Sequence, residues 1–480
     1  MPSQPSPLEL SADDMKGLVR AALDRIVKHI ETLPEQPASR TRGGARLARS
    51  LAEPLPEAGT PVHKLLDVIF RKAVPSSMNT AGPGYLGYIP GGGLFPSAVA
   101  DLIADSVNRY TGLSRAAPAL VQLEMNVLSW FRGIAGLPET GRGVLTSGGS
   151  LANFIALVTA RRELLPENFF SGTLYVSDQT HHSVLKSALL AGFPLANVRS
   201  VPSDERYRLR LDLLEEMLAE DRNRGLTPFF VVGNAGTTNS GAVDPLPGIA
   251  ETARRHGLWF HVDGAYGGFF RLTERGRRTL AGLELADSVV LDPHKSLFLP
   301  YGTGALLVRD GAALKRAHSV AADYLPAIHD DTELADFAEL SPELTRPFRG
   351  LRAWLPIKMY GIGPFREALD EELDLARWAV EALRAIPGIE ILAEPELSLL
   401  AFRYVPSGVS DPEALSLLNK RLLERINERK RVFLTGTLLH GRFAIRICVL
   451  SFRTHQDRVA MAIEDIEAAI RETMETGTER

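Results

Sequence analysis

The apolar positions along the chain follow three regimes. Up to residue 94 they repeat at helical spacing in short, separated stretches. Leu18, Ala22, Ile26 and Ile30 share one face of a predicted helix, and a second amphipathic stretch spans 62–70. A Pro/Gly/Arg-rich connector, 34–44, lies between them. So thin a segment cannot build a core of its own. Residues 1–94 are therefore expected to form a helical arm that packs on something larger, such as a second subunit. From 95 to 351, short β-branched apolar runs alternate with amphipathic stretches, the pattern of an α/β domain whose mostly parallel sheet has helices on both faces. Strands are expected at 173–177, 229–233, 259–262, 287–291 and 305–308, and helices at 151–164, 183–191, 211–223 and 247–256. From 352 to 480 two long helical stretches, 365–385 and 412–428, alternate with short strands at 389–393, 399–404 and 443–449, which predicts a smaller α+β domain.

Composition narrows the class. At 480 residues, 45% apolar and 23% charged, the chain is an ordinary globular one with room for a large core. A net charge of -4 with no basic block gives no reason to expect nucleic acid. The single cysteine, Cys448, excludes an internal disulfide and a cysteine metal cluster, and no metal site is expected. No apolar run has the length of a membrane span. The start, Met1-Pro2-Ser3-Gln4, lacks the charged and apolar regions of a signal peptide. A cytoplasmic, enzyme-sized protein is the expectation.

The chemistry gathers after the predicted strands. Asp292-Pro293-His294-Lys295 follows the run 287–291, so Lys295 stands at the carboxyl end of a strand, where open α/β sheets place their ligands. The chain has ten Lys against forty-four Arg, and Lys295 is the only Lys between Lys186 and Lys315. An amine that must lose its proton and attack a carbonyl has to be Lys, because Arg stays charged. Gly148-Gly149-Ser150 opens a predicted helix and offers unshielded N–H groups to an anion such as phosphate, although the same residues also make an ordinary helix cap. His181 follows the strand 173–177, placed to stack on a flat ring or to serve as a plain structural histidine. Thr237 lies in a polar turn after the next strand and offers a hydroxyl to a ligand oxygen. Asp263, at the end of another strand, needs a partner if buried, either a protonated ring nitrogen or an Arg. Ala265 leaves room beside it for a flat ring. Taken together, the phosphate nest, stacking His, ring-nitrogen Asp and Schiff-base Lys are the parts that pyridoxal 5'-phosphate requires.

Four stretches, Ser177-Asp178-Gln179-Thr180-His181, His261-Val262-Asp263-Gly264-Ala265-Tyr266, Asp292-Pro293-His294-Lys295 and Ile445-Arg446-Ile447-Cys448, resemble those of the group II pyridoxal-phosphate-dependent amino-acid decarboxylases, and the likeness runs from about residue 64 to 453. The resemblance implies a type I aminotransferase-like fold and a homodimer with its active sites at the subunit interface. It implies Schiff-base chemistry on Lys295, ring stacking by His181, a ring-nitrogen contact from Asp263 and a ring face lined by Ala265. Gly148, Gly149, Ser150, Asp292 and His294 would surround the phosphate. The aromatic-acid decarboxylases have Asn where this chain has Asp292.

The implied activity is release of carbon dioxide from an L-amino acid to give the amine. The family's proton donor is a Tyr on a mobile loop, which Tyr324 resembles within the long polar segment 318–345, a length that suits a lid. Related aldehyde synthases carry Phe there. The family's substrate pocket would draw on Tyr88, Ile89 and Pro90, on Tyr110 from the other subunit, and on Arg446. Tyr88 fits an aromatic or other bulky L-amino acid. Two other readings compete: a carbon–carbon lyase of the sphingosine-phosphate-lyase type, and a non-catalytic cofactor-binding paralogue. The presence of Lys295, His181 and Tyr324 together weighs against the latter.

Overall fold

The computed structural model describes residue 6 and residues 8–320 and 334–477. Its centre is a seven-stranded sheet. The strands are β1 (Arg142–Thr146), β2 (Gly172–Ser177), β3 (Val198–Val201), β4 (Thr227–Asn234), β5 (Trp259–Gly264), β6 (Ser288–Leu291) and β7 (Gly304–Val308), in the order β1-β7-β6-β5-β4-β2-β3. Five of the strands match runs expected from the apolar pattern: β2, β4, β5 and β7 are one to three residues longer than expected, and β6 starts one residue later. β1 and β3 were not expected. All pairings are parallel except those of β7, which runs against both β1 and β6. The inner strands β5, β6 and β7 are buried along their whole length, which is why they read as continuous apolar runs.

This order brings the carboxyl ends of β1, β2, β4, β5 and β6 to one edge, joined there by the amino end of the reversed β7. Gly304 at that end packs against the turn after β1. A Cβ on it would lie 2.6 Å from Gly148 Cα, so only glycine lets the two backbones approach. The helix Gly149–Leu164 leaves β1 and runs across the sheet, with Ala152, Ile155, Ala156, Leu157 and Ala160 buried.

A second sheet is wholly antiparallel: β8 (Ile389–Ala393), β9 (Leu399–Tyr404), β10 (Thr435–Leu439) and β11 (Arg442–Cys448), in the order β10-β11-β9-β8. β10 was not expected. It joins β11 through His440-Gly441, both at positive φ, the turn that suits the twist of a two-residue hairpin. The helices Gly363–Arg384, Pro412–Glu428 and Gln456–Gly477 pack their apolar stripes with this sheet in a second core containing Val380, Leu422, Ile447 and Ile466.

At the amino end, the helix Ala12–Glu31 is capped by Ser11, whose hydroxyl accepts from the Asp14 N–H, and none of its residues is buried. It meets the helix Val62–Val68 through an Arg25–Asp67 ion pair of 2.8 Å. The expected stretch 62–70 is thus helical to Val68 and ends in a single π-turn over Ile69–Ala73. The glycine-rich segment that follows is no free linker. Leu86 N–H donates to Phe433 O, and Leu86 O accepts from Cys448 N–H, so the segment is stitched to the smaller domain.

Candidate active site

Lys295 sits in the one-turn helix Pro293–Ser296 that follows β6. Its Nζ is 3.0 Å from Asp292 Oδ2. Burial pushes the amine's proton affinity down, but the charges of Asp292 and Asp263 outweigh it, and the net shift is upward. His294 Nδ1 donates to the Thr303 carbonyl at 2.6 Å, which turns Nε2 toward Asp292 Oδ2 at 3.7 Å. Ser296 Oγ donates to Tyr266 O and ties the Lys295 turn to the turn after β5. Gly91 closes over this segment from the glycine-rich loop. A Cβ there would fall 2.1 Å from His294 O, so any side chain would push the loop off.

Asp263, near the end of β5, is buried and accepts two N–H groups: Asn153 Nδ2 at 3.1 Å on Oδ2 and Ala265 N at 3.1 Å on Oδ1. His181 is the N-cap of the helix His182–Leu190. Its Nδ1 meets Ser183 Oγ at 2.8 Å and Ser183 N–H at 3.3 Å. Burial lowers the proton affinity of its imidazole, partly offset by Asp263. Gly149 lies so close to this edge that a Cβ on it would sit 3.0 Å from Asp292 Oδ2 and 3.3 Å from Ala265 Cβ. Thr237 Oγ1 is fixed by Ser240 Oγ at 2.7 Å.

These side chains line one cavity of about 300 Å3, which holds Gly148, Gly149, Ser150, His181, Thr237, Asp263, Ala265, Asp292, His294 and Lys295. All ten residues proposed from sequence for the cofactor meet there. The fit to pyridoxal phosphate is chemical as well as spatial. An amine stands at one end, a doubly held carboxylate at another, and Ala265 leaves one wall low enough for a flat ring. Among the described residues, Asp292 Oδ1 is buried beside the glycine turn with no hydrogen-bond partner.

The proposed substrate residues lie elsewhere. Tyr88, Ile89, Pro90, Tyr110 and Arg446 do not line this cavity within one chain. Tyr88 is 54% exposed, Ile89 is in the large core, and the Tyr110 hydroxyl donates to Leu344 O. Arg446 is buried, and four of its five N–H donors already serve protein acceptors: Asn239 O, Thr435 Oγ1, Tyr88 O and Thr238 O. Instead of standing open to a substrate carboxylate, it clamps the Tyr88 loop to Thr238, which does line the cavity. Tyr324 lies outside the described residues.

Sequence reasoning missed Asn153, Ser183, Asn234 and Tyr266, all part of the cavity wall. Asn153 had a usable signal. It is a lone amide one turn into an apolar helix, three residues after Ser150.

Residues 46–405 match the pyridoxal-dependent decarboxylase conserved domain. The chain is 33% identical to an aromatic-L-amino-acid decarboxylase of Bacillus atrophaeus over 97% of both chains. Its fold is similar to that of Oryza sativa TDC, solved with PLP and tryptamine: TM-score 0.92, 28% identity, covering 98% of this chain and 100% of that one. It is similar as well to Catharanthus roseus tryptophan decarboxylase in complex with L-tryptophan, with TM-score 0.89, 25% identity and coverage of 97% and 100%. With the cofactor cavity assembled at the sheet edge and the match spanning three quarters of its length, the chain belongs to the pyridoxal-dependent decarboxylase family and is a carboxy-lyase that uses pyridoxal phosphate to decarboxylate an amino acid.

Proposed function

We propose that the substrate is an aromatic L-amino acid and that the enzyme works as a cytoplasmic homodimer. The observation that carries the decarboxylase chemistry beneath this reading is the pairing of two buried carboxylates around one amine: Asp292 3.0 Å from Lys295 Nζ, and Asp263 with both oxygens held by N–H donors. Pyridoxal phosphate, when bound, supplies the electron sink for the pair left as carbon dioxide departs. The protein's part is placement. Lys295 would hold the cofactor covalently, Asp263 would meet its ring nitrogen and favour the protonated form, and His181 and Ala265 would flank the ring. Gly148, Gly149, Ser150 and His294 would receive the phosphate. Tyr324 delivers the proton to the substrate α-carbon.

Two further features support the finer points. Tyr85 stacks on Phe433 at 5.5 Å, and Tyr88 lies 6.4 Å from the same ring, an aromatic wall next to the loop that Arg446 ties to the cavity. Such a wall suits an aromatic side chain, as do the substrates named for the relatives. The helix Ala12–Glu31 leaves Leu18, Val19, Leu23 and Val27 more than 40% exposed in the single chain, an apolar face suited to a second copy. Tyr110 of one subunit would then approach the cofactor of the other.

A screen of the twenty common L-amino acids for carbon dioxide release tests the substrate. Tryptophan, tyrosine or phenylalanine should lead, and a preference for glutamate would overturn the reading. Sedimentation tests the assembly, and a fully active monomer would overturn it.

A further inference from the structure

Behind the cavity a line of polar side chains runs through the sheet, and the carboxylate in it sets the direction of its hydrogen bonds. Trp259 Nε1 on β5 is 2.8 Å from Ser288 Oγ on β6. Ser288 Oγ is 2.7 Å from His261 Nδ1, and His261 Nε2 is 2.8 Å from Asn153 Oδ1. Asn153 Nδ2 then reaches both Asp263 Oδ2, at 3.1 Å, and Ser183 Oγ, at 3.0 Å. Ser183 Oγ ends the line on His181 Nδ1 at 2.8 Å.

The carboxylate end sets the direction. A carboxylate only accepts, so Asn153 must offer Asp263 its NH2 and keep its oxygen for His261; a flipped amide would set two acceptors against each other at Asp263. Asn153 Oδ1 then accepts from His261 Nε2–H. A neutral His261 ring therefore presents Nδ1 as an acceptor, and Ser288 gives it its proton while accepting from Trp259, whose indole N–H only donates. The second N–H of Asn153 goes to Ser183 Oγ, whose proton goes to His181 Nδ1, an atom that also receives the Ser183 N–H at 3.3 Å.

We infer that Asn153 is a positioning residue that fixes two cofactor-facing groups with one amide: it holds Asp263 as an acceptor for the ring nitrogen and, through Ser183, sets His181 as the neutral tautomer with its proton on Nε2. The inference rests on reading this cavity as the pyridoxal phosphate site. The surroundings agree with neutral rings. Burial lowers the proton affinity of His261 to a pKa of about 4, and burial lowers that of His181 as well. The consequence is chemical. Ring contact and nitrogen contact are set by a single side chain, so they fail together, and His181 turns an N–H, not a lone pair, away from its helix.

The test reads protons directly. Full-length protein carrying 15N in its histidine rings is measured by long-range 1H–15N correlation near neutral pH, with pyridoxal phosphate bound and after its removal. The chain has eleven histidines, so the two signals are assigned by their loss in His181→Gln and His261→Gln. Both rings should be neutral, with the proton on Nε2 and Nδ1 unprotonated, in both forms. A proton on Nδ1 of either ring, or a charged ring, overturns the inference. Because the cofactor-free form is read as well, this result stands apart from whether the proposed substrate is correct. The second arm is Asn153→Leu, of similar volume without donors. It should weaken cofactor binding at least about tenfold, since a bond to a charged acceptor is lost, and leave His181 in a mixture of tautomers. A folded variant that keeps both wild-type affinity and the wild-type His181 signal overturns the inference. If the variant does not fold, the wild-type tautomers decide alone, and Ser183→Ala, which should disturb His181 and spare His261, gives the independent check.

Discussion

Asp263 and Asp292 stand at the ends of adjacent strands, both buried, and are held in opposite ways. Asp263 has an N–H donor on each oxygen, one from the Asn153 amide and one from the Ala265 backbone. Asp292 has an ammonium on Oδ2 and, among the described residues, no donor on Oδ1. A buried acceptor left without a donor costs about 1–3 kcal/mol. The ring end of the cavity is therefore finished by the protein alone, while the phosphate end is balanced by one charge pair and left incomplete. Substitutions at the two ends should separate accordingly.

Lys295 stands between them, and its loss should be the largest effect. Lys295→Ala is expected to abolish amine production and to leave no cofactor fixed to the protein after borohydride reduction. Reduction of wild-type protein followed by peptide mapping should place the label on Lys295, and a label on any other lysine would remove it from this role.

Next in size is Tyr324→Phe. A positioned general acid contributes roughly 10²–10⁴-fold, and amine formation should fall by that order. Cofactor binding should be unchanged, because Tyr324 is not among the residues read as holding the cofactor. With protonation slowed, turnover in the presence of oxygen should shift from amine toward aldehyde. Near-normal amine yield from the Phe variant would take Tyr324 off the catalytic list.

The comparison itself is sharpened by swapping each Asp for Asn. Asp263→Asn removes the charge that the ring end is built around and should cost on the order of 10²–10³-fold in turnover, the scale of losing one preorganised electrostatic contact. Asp292→Asn should cost far less. Equal losses at the two sites would show that the phosphate end is as fixed as the ring end and would break the distinction drawn from their partners.

The same division marks what was legible in the sequence. The cofactor set could be read because His181, Thr237, Asp263 and Lys295 lie at the ends of strongly apolar strands, which a parallel sheet delivers to one edge, and because Gly148-Gly149-Ser150 opens a predicted helix. β3 escaped notice because Val198, Arg199 and Ser200 form a short, half-exposed edge with little apolar contrast. β1 escaped because Arg142 and Gly143 leave it little apolar contrast, whereas the glycine is there to let β7 approach: a Cβ on it would fall 2.5 Å from Leu306 O. The reversal of β7 is a matter of connection length, not of pattern. Arg446 was placed in the substrate pocket by the family resemblance. Its neighbours in space, the carbonyls of residues 88, 238 and 239, come from segments far apart in the chain. Asn153 was missed for the same reason. The partners that give it meaning lie 30 and 110 residues away.

The smallest expected effect is also the most specific to Asp292. Lys295 must lose a proton before its amine can attack an aldehyde. Burial favours the neutral amine, but Asp292 at 3.0 Å and the charge of Asp263 hold the proton on, so the pKa lies above that of an ordinary lysine. Asp292→Asn keeps the shape and removes the nearer charge. Burial and Asp263 then act alone, and the pKa must move down. At any pH below it, a larger fraction of the amine is neutral, so cofactor-free protein should take up pyridoxal phosphate faster at neutral pH. The pH at which the loading rate reaches half its maximum should also shift lower. A shift of one unit corresponds to about 1.4 kcal/mol and a tenfold faster rate well below the midpoint. The loss of negative charge beside the phosphate should act in the same direction on affinity and at all pH values where the phosphate is ionised, so the two contributions separate. Affinity improves without a pH midpoint, whereas the rate carries one. The measurement is the absorbance change on reconstitution from acid to alkaline pH for wild type and Asp292→Asn. An unmoved midpoint would mean that the carboxylate does not govern the Lys295 proton and that its contact at 3.0 Å serves only to orient the side chain.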